Sequence, residues 1–194
     1  MSDVKVLAIS GSLRQGSYNT SLLRVAGSLL PPGMTMTLQT IHEIPLFNAD
    51  VEAKGLPAPV VALKEAIRAA DGVLISTPEY NNSLPGVLKN TVDWVSRGGK
   101  QPFERKPIVV ISASNGRFGG ARSQVAWLPV FATLGALWMH TPQFALSMGG
   151  EAFLPDGSLK DDKTREKLRA VLAAFDTWCR MHAAAAKTVG QSAG

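Results

Sequence analysis

Cys179 is the only cysteine in 194 residues, which excludes an intrachain disulfide and any cysteine-based metal cluster. A reducing compartment follows. Histidine is nearly as scarce: His42, His140 and His182 lie far apart, without metal-ligand spacing, and no nucleophile-elbow motif accompanies them. No stretch approaches ~18 uninterrupted apolar residues, and "MSDVKVLAIS" lacks the basic-then-apolar form of a signal peptide. The expectation is a cytoplasmic chain that does not associate with membranes. Lys and Arg nowhere form a run with interleaved aromatics, which argues against a nucleic-acid partner. Two phosphate-binding motifs are missing as well. Gly11 and Gly16 have P-loop spacing but are followed by Ser17 rather than Lys, and G-x-G-x-x-G is absent. A nucleoside triphosphatase and a dinucleotide bound in the Rossmann manner are thereby disfavoured.

What is present belongs to a globular domain. Hydrophobic residues make up 45% and charged residues 18%, and a net charge of +5 with pI near 9.6 favours anionic ligands. "VKVLAIS" from Val4, "GVLISTP" from Gly72 and "PIVVISA" from Pro107 are almost continuously apolar, as strands covered on both faces are. "MTMTLQT" from Met34 alternates instead, which suits a sheet edge. "ALWMH", Ala136 to His140, is a fifth strand candidate. Helical spacing fills about Thr20 to Leu30, Pro59 to Ala70, Pro85 to Arg97, Ala121 to Leu134 and Lys163 to His182. His182 falls on an apolar face, where a packed core histidine is expected.

Strand and helix alternate, which implies an α/β, doubly wound, five-stranded parallel sheet with helices on both faces. With the edge strand second, the order is 2-1-3-4-5. A single domain is expected over residues 1–185, then a flexible tail over 186–194.

Ligands of such sheets bind outside the carboxyl ends of the strands where the order reverses, so the loops after strands 1, 3 and 4 should converge. These are the loops richest in Gly, Ser, Asn and Arg. In "GSLRQGSYN", Gly11 and Gly16 permit a sharp turn, while Ser12, Ser17, Asn19 and Thr20 supply polar groups. The helix start near Asn19 and the Arg14 fork complete a phosphate cradle suited to a monophosphate. A loop of this kind also serves simply as a turn with a helix cap. In "PEYNNSLP", a rigid loop with one aromatic ring can flank a planar ligand, or Tyr80 can be a packing residue. "SASNGRFGGAR" is bare enough to lie against a flat ring, or to form a flexible surface turn. "VAWLPVFATLGAL" from Val125 is apolar nearly all round, so either a partner copy covers it, with Trp94 and Trp127 as candidate anchors, or it is a deeply buried helix kinked at Pro129; the partner is the expectation.

In that order, "GSLRQGSYN", "PEYNNSLPGVLKNTVDW" and "SNGRFGGARSQ" resemble the NADPH-dependent FMN reductase family, which includes bacterial chromate and quinone reductases of flavodoxin-like fold. The resemblance runs from about Val4 to the last helix. It implies that Ser12, Arg14, Ser17, Asn19 and Thr20 hold the FMN phosphate, and that Pro78, Glu79, Tyr80 and Asn81 line the ring near N5. Ser114, Gly116, Gly119 and Gly120 would line its pyrimidine side. Many members carry Ser-Pro-Gly where this chain has Ser114, Asn115 and Gly116, which leaves Asn115 without an assigned role. A homodimer or homotetramer is also implied.

The function expected is hydride transfer from NADPH or NADH to FMN, then ping-pong reduction of a quinone, chromate, ferric chelate or similar small acceptor. The flavin carries the electron chemistry, so few catalytic side chains are needed. Arg105, Arg117 and Arg122 are unranked candidates for dinucleotide contact. A flavodoxin-type carrier and a flavin-binding regulatory protein without turnover are the rivals, the former disfavoured by the basic charge.

Overall fold

The computed structural model describes residues 3–191, with side chains through residue 184. The chain order is β1 (Val4–Ser10), α1 (Tyr18–Ser28), β2 (Met34–Gln39), α2 (Ala49–Glu52), α3 (Ala58–Ala69), β3 (Gly72–Thr77) and α4 (Gly86–Val95). Then follow β4 (Pro107–Ala113), α5 (Ala121–Thr133), β5 (Leu137–Trp138), β6 (Ala145–Leu146), α6 (Gly149–Ala152) and α7 (Asp162–Gln191). The strands run parallel in the order β2-β1-β3-β4-β5, as the alternation predicted, and β6 pairs with β4.

Two cores flank this sheet. Val4, Val6 and Ala8 of β1 face one core with Leu22, Leu23 and Ala26 of α1 and Leu168, Leu172 and Phe175 of α7. Leu7 and Ile9 face the other with Val60 and Ile67 of α3, Leu88 and Val92 of α4, and Trp127 and Phe131 of α5. The period-2 pleat divides the strand residues between them. β3 and β4 are buried at every position, while β2 is buried only at Met34, as befits an edge.

The fifth strand departs from expectation. Only Leu137–Trp138 pair with β4; the ladder lapses and resumes at Ala145–Leu146, a segment the sequence pattern did not suggest. Pro142 lies in the gap and has no N–H to donate, so an unbroken strand is not available there.

Two further expectations change. The last helix continues through Gln191, over residues assigned to a tail from 186; residues 192–194 lie outside the described part. Trp94 and Trp127 are not surface anchors, since both are 0% exposed. Trp94 donates through Nε1 to the Pro45 carbonyl at 2.9 Å, and Trp127 to Thr77 Oγ1 at 3.2 Å. The outward apolar residues of α5 are Val125 and Leu128.

His182 packs edge to face on Trp178, and burial pushes the Cys179 thiol up to about 12. Cys179 is therefore an unreactive core residue at neutral pH. Among the described residues no helix is long and apolar enough to cross a membrane, and no group of three His, Cys, Asp or Glu is placed to hold a metal.

Candidate functional site

Asn19 knots the three loops together. Its Nδ2 donates to the Ala113 carbonyl at 3.0 Å, and its Oδ1 accepts from Ala113 N–H at 3.0 Å and Ser76 Oγ at 2.8 Å. One buried amide on α1 thus ties the carboxyl ends of β3 and β4 to the start of the first helix. Gly11 N–H reaches the Ser76 carbonyl at 2.9 Å, and a Cβ on Gly11 would stand 2.7 Å from Leu88 Cδ2 and 3.1 Å from that carbonyl oxygen. Only glycine allows this close approach.

The first loop is built as a helix start. Ser17 caps α1, its Oγ accepting from Thr20 N–H at 3.2 Å. The remaining first-turn N–H groups and the positive end of the helix dipole meet the cleft at Tyr18 and Asn19. Ser12 Oγ accepts from Arg14 N–H at 3.3 Å, which curls the loop, and the Arg14 guanidinium lies 4.4 Å over the Tyr18 ring. The Tyr18 hydroxyl is held below the usual phenol range by Arg14 first and Asn115 second. Thr20 is turned inward, with Oγ1 2.7 Å from Ser10 Oγ. The side chains of Asn19 and Thr20 are therefore occupied by the scaffold; Asn19 still borders the cleft, together with Ser12, Arg14 and Ser17.

The second loop is a two-residue hairpin. Tyr80 and Ser83 exchange backbone hydrogen bonds of 3.1 and 3.0 Å, and Asn81 and Asn82 adopt φ of 51° and 61°. Asparagine is the side chain that best tolerates this left-handed pair, so the Asn-Asn dipeptide makes the turn. Pro78 is buried, Tyr80 is half exposed, and Asn81 is exposed and not among the residues lining the cleft. Glu79 both borders the cleft and braces it: Oε2 accepts from Arg122 N–H at 3.0 Å, at the start of α5.

The third loop is pinned by its glycines. A Cβ on Gly119, at φ +60°, would fall 2.7 Å from Leu146 C and Ser147 N, and one on Gly120, at φ +92°, 2.7 Å from Ser112 Cβ. These two glycines pack the loop tightly against β6 and β4. Ser114 lines the cleft, and its Oγ accepts from Gly116 N–H at 3.2 Å. Asn115, unassigned from sequence, has a structural role. Its Oδ1 accepts from Gly150 N–H at 2.7 Å, and its Nδ2 donates to Tyr18 Oη at 3.4 Å. It joins the first loop to α6.

The cleft enclosed by these elements has a volume of about 220 Å³ and is lined from all three loops. Tyr18 and Ala113 belong to it and were not singled out from sequence. Only the aromatic position next to the helix cap could have signalled Tyr18.

A parallel sheet of this order with its site at the strand switch point is a flavodoxin-like fold. The profile of the NADPH-dependent FMN reductase family matches residues 4–151, and the chain belongs to that family. An NAD(P)H-dependent FMN reductase of Pseudomonas aeruginosa is 48% identical over 178 residues, 92% of this chain and 96% of the relative. A quinone reductase of Escherichia coli is 42% identical over 178 residues, 89% of this chain and 93% of the relative. Among solved structures, FerB of Paracoccus denitrificans, a flavoenzyme NAD(P)H:(acceptor) oxidoreductase, superposes with TM-score 0.84 at 35% identity. That match covers 92% of this chain and 98% of FerB. The chain is accordingly an oxidoreductase with FMN and NAD(P)H as its cofactors.

Proposed function

We propose that the chain reduces quinones, and further small acceptors such as chromate and ferric chelates, with electrons from NAD(P)H by a ping-pong route. The observation that carries this reading is the Asn19 knot, which holds three polar loops around one cleft at the N-terminus of α1. The donor set fits FMN: serine hydroxyls, a helix N-terminus and an exposed arginine suit a phosphate, and a rigid hairpin with an aromatic ring suits a flat heterocycle. When bound there, FMN supplies the hydride-accepting and electron-donating chemistry.

Ser12, Arg14 and Ser17 hold the phosphate in this reading. Pro78, Glu79, Tyr80 and Ser114 border the ring, with Asn81 and Gly116 shaping the turns behind them. Asn19, Thr20, Gly119 and Gly120 act one step removed, by holding the loops in place. The lone cysteine supports a cytoplasmic setting, and Val125 and Leu128 on α5 support assembly into a homodimer or homotetramer. The relatives named for NAD(P)H and quinone support both substrates.

Initial rates measured over a grid of NADPH and quinone concentrations test the order of events. Parallel double-reciprocal lines are expected, because the two substrates use one open face in turn. Intersecting lines require both substrates to be bound together and contradict the reading.

A further inference from the structure

We propose that Arg117 forms the recognition site for the 2′-phosphate of NADPH and so sets the preference for NADPH over NADH, an inference that rests on the NAD(P)H-dependent reading above. Three arginines lie near enough in sequence to the third loop to be considered, and the fold separates them.

Arg105 is removed by topology. It precedes Pro107, the first residue of β4, and its N–H closes on the Gly135 carbonyl at 2.8 Å beyond the end of α5. The cleft opens past Ala113, at the other end of that strand. The six steps of ~3.3 Å from the first to the last of the seven residues of β4 put the two rims about 20 Å apart.

Arg122 is removed by its contacts. Its Nη1 donates to Asn82 Oδ1 at 2.6 Å and lies 3.7 Å from Glu79 Oε1, while the guanidinium carbon sits 4.5 Å over the Phe118 ring. Its charge is matched by Glu79, and its fork and one face are occupied. It clamps the second loop to the third.

Arg117 differs on both counts. It occupies the rim beside the cleft, two residues past the cleft-lining Asn115, at the apex of a turn closed by Gly119 N–H on the Gly116 carbonyl at 3.0 Å. The side chain is exposed, and it forms no hydrogen bond or ion pair with another described residue. The base of the turn is fixed, because Ser114 N–H bonds the Leu146 carbonyl at 3.0 Å and Gly119 lies flush on the backbone of Leu146 and Ser147. A turn anchored at both ends therefore presents an unneutralised guanidinium at the mouth of the site. NADPH and NADH differ only in the 2′-phosphate, a compact anion that the planar fork of arginine grips through two donors. Arg14, a further exposed arginine at this rim, lies over Tyr18 beside the α1 N-terminus, where the flavin phosphate is placed.

The test compares kcat/KM for NADPH and for NADH in the FMN-loaded wild type, Arg117→Ala and Arg105→Ala, at one ionic strength. Wild type is expected to prefer NADPH, and Arg117→Ala to lower the NADPH-to-NADH ratio about tenfold or more. Arg105→Ala should keep the wild-type ratio. Adenosine 2′-monophosphate should compete with NADPH on the wild type and lose about tenfold in potency on Arg117→Ala. A wild type that prefers NADH, or an Arg117→Ala ratio equal to wild type, overturns the assignment and leaves the reductase reading standing. Failure of the wild-type holoenzyme to oxidise either dinucleotide overturns the reductase reading itself.

Discussion

Arg14→Ala is expected to weaken FMN binding ten- to a hundredfold, about 1.5–3 kcal/mol, the usual worth of a hydrogen bond to a charged group. The effect should be this large because Arg14 is the one cation among the residues lining the cleft. Its guanidinium is already placed over the Tyr18 ring, so little side-chain freedom remains to be lost on binding. Arg14→Lys should recover only part of the affinity, since an ammonium is a point charge without the planar fork. Fluorescence titration of apoprotein with FMN measures all three proteins. Riboflavin, which lacks the phosphate, should bind wild type and Arg14→Ala alike. Equal FMN affinity in wild type and Arg14→Ala would remove the phosphate from this loop.

Trp127→Ala is expected to cost about 3–5 kcal/mol of folding stability, the range for deleting a large core aromatic. Trp127 is 0% exposed, packs with its ring centroid 5.3 Å from that of Phe131, and donates from Nε1 to Thr77 Oγ1 at 3.2 Å. Thr77 in turn donates to the Pro78 carbonyl at 3.0 Å and lies 2.9 Å from Ser123 Oγ. The indole therefore sits directly beneath the second loop. Its loss removes a large part of the ~5–15 kcal/mol that ordinarily holds a domain together. Urea denaturation of the FMN-free protein reads the change, and Trp127→Phe, which keeps most of the volume, should lose less. Unaltered stability with a smaller particle by sedimentation would instead make Trp127 an assembly residue.

That second case marks where sequence stops informing structure. A segment apolar on nearly every side, as Val125 to Leu137 is, fits a deeply buried helix and a helix covered by a partner equally well. What decides is which residues meet the sheet: Trp127 and Phe131 do, while Val125 and Leu128 point outward. β1, β3 and β4 were legible because burial on both faces demands unbroken apolar runs, and β2 because an edge demands alternation. β6 was not, since two paired residues after a proline leave no periodicity to detect.

The location of the site was legible for a similar reason. Glycine, hydroxyl and amide residues are densest in the three loops that the strand order brings to one rim. The division of labour inside those loops was not. Ser17, Asn19 and Thr20 are alike in polarity, yet Thr20 turns into the scaffold, Asn19 borders the cleft with its amide spent on β3 and β4, and Ser17 borders it as the helix cap. Asn115 had no role assigned from sequence; its hydrogen bonds to Gly150 and Tyr18 fix the third loop from outside it. Glu79 likewise could not be recognised from sequence as the brace for the start of α5, because Arg122 lies 43 residues away.

The most direct measurement is the visible spectrum of the protein after loading with FMN, removal of unbound cofactor, and addition of NADPH without oxygen. A retained flavin absorption that bleaches on NADPH and returns on adding a quinone is the predicted result. A colourless protein after removal of unbound FMN, or a bound flavin whose colour NADPH leaves unchanged, would contradict the account.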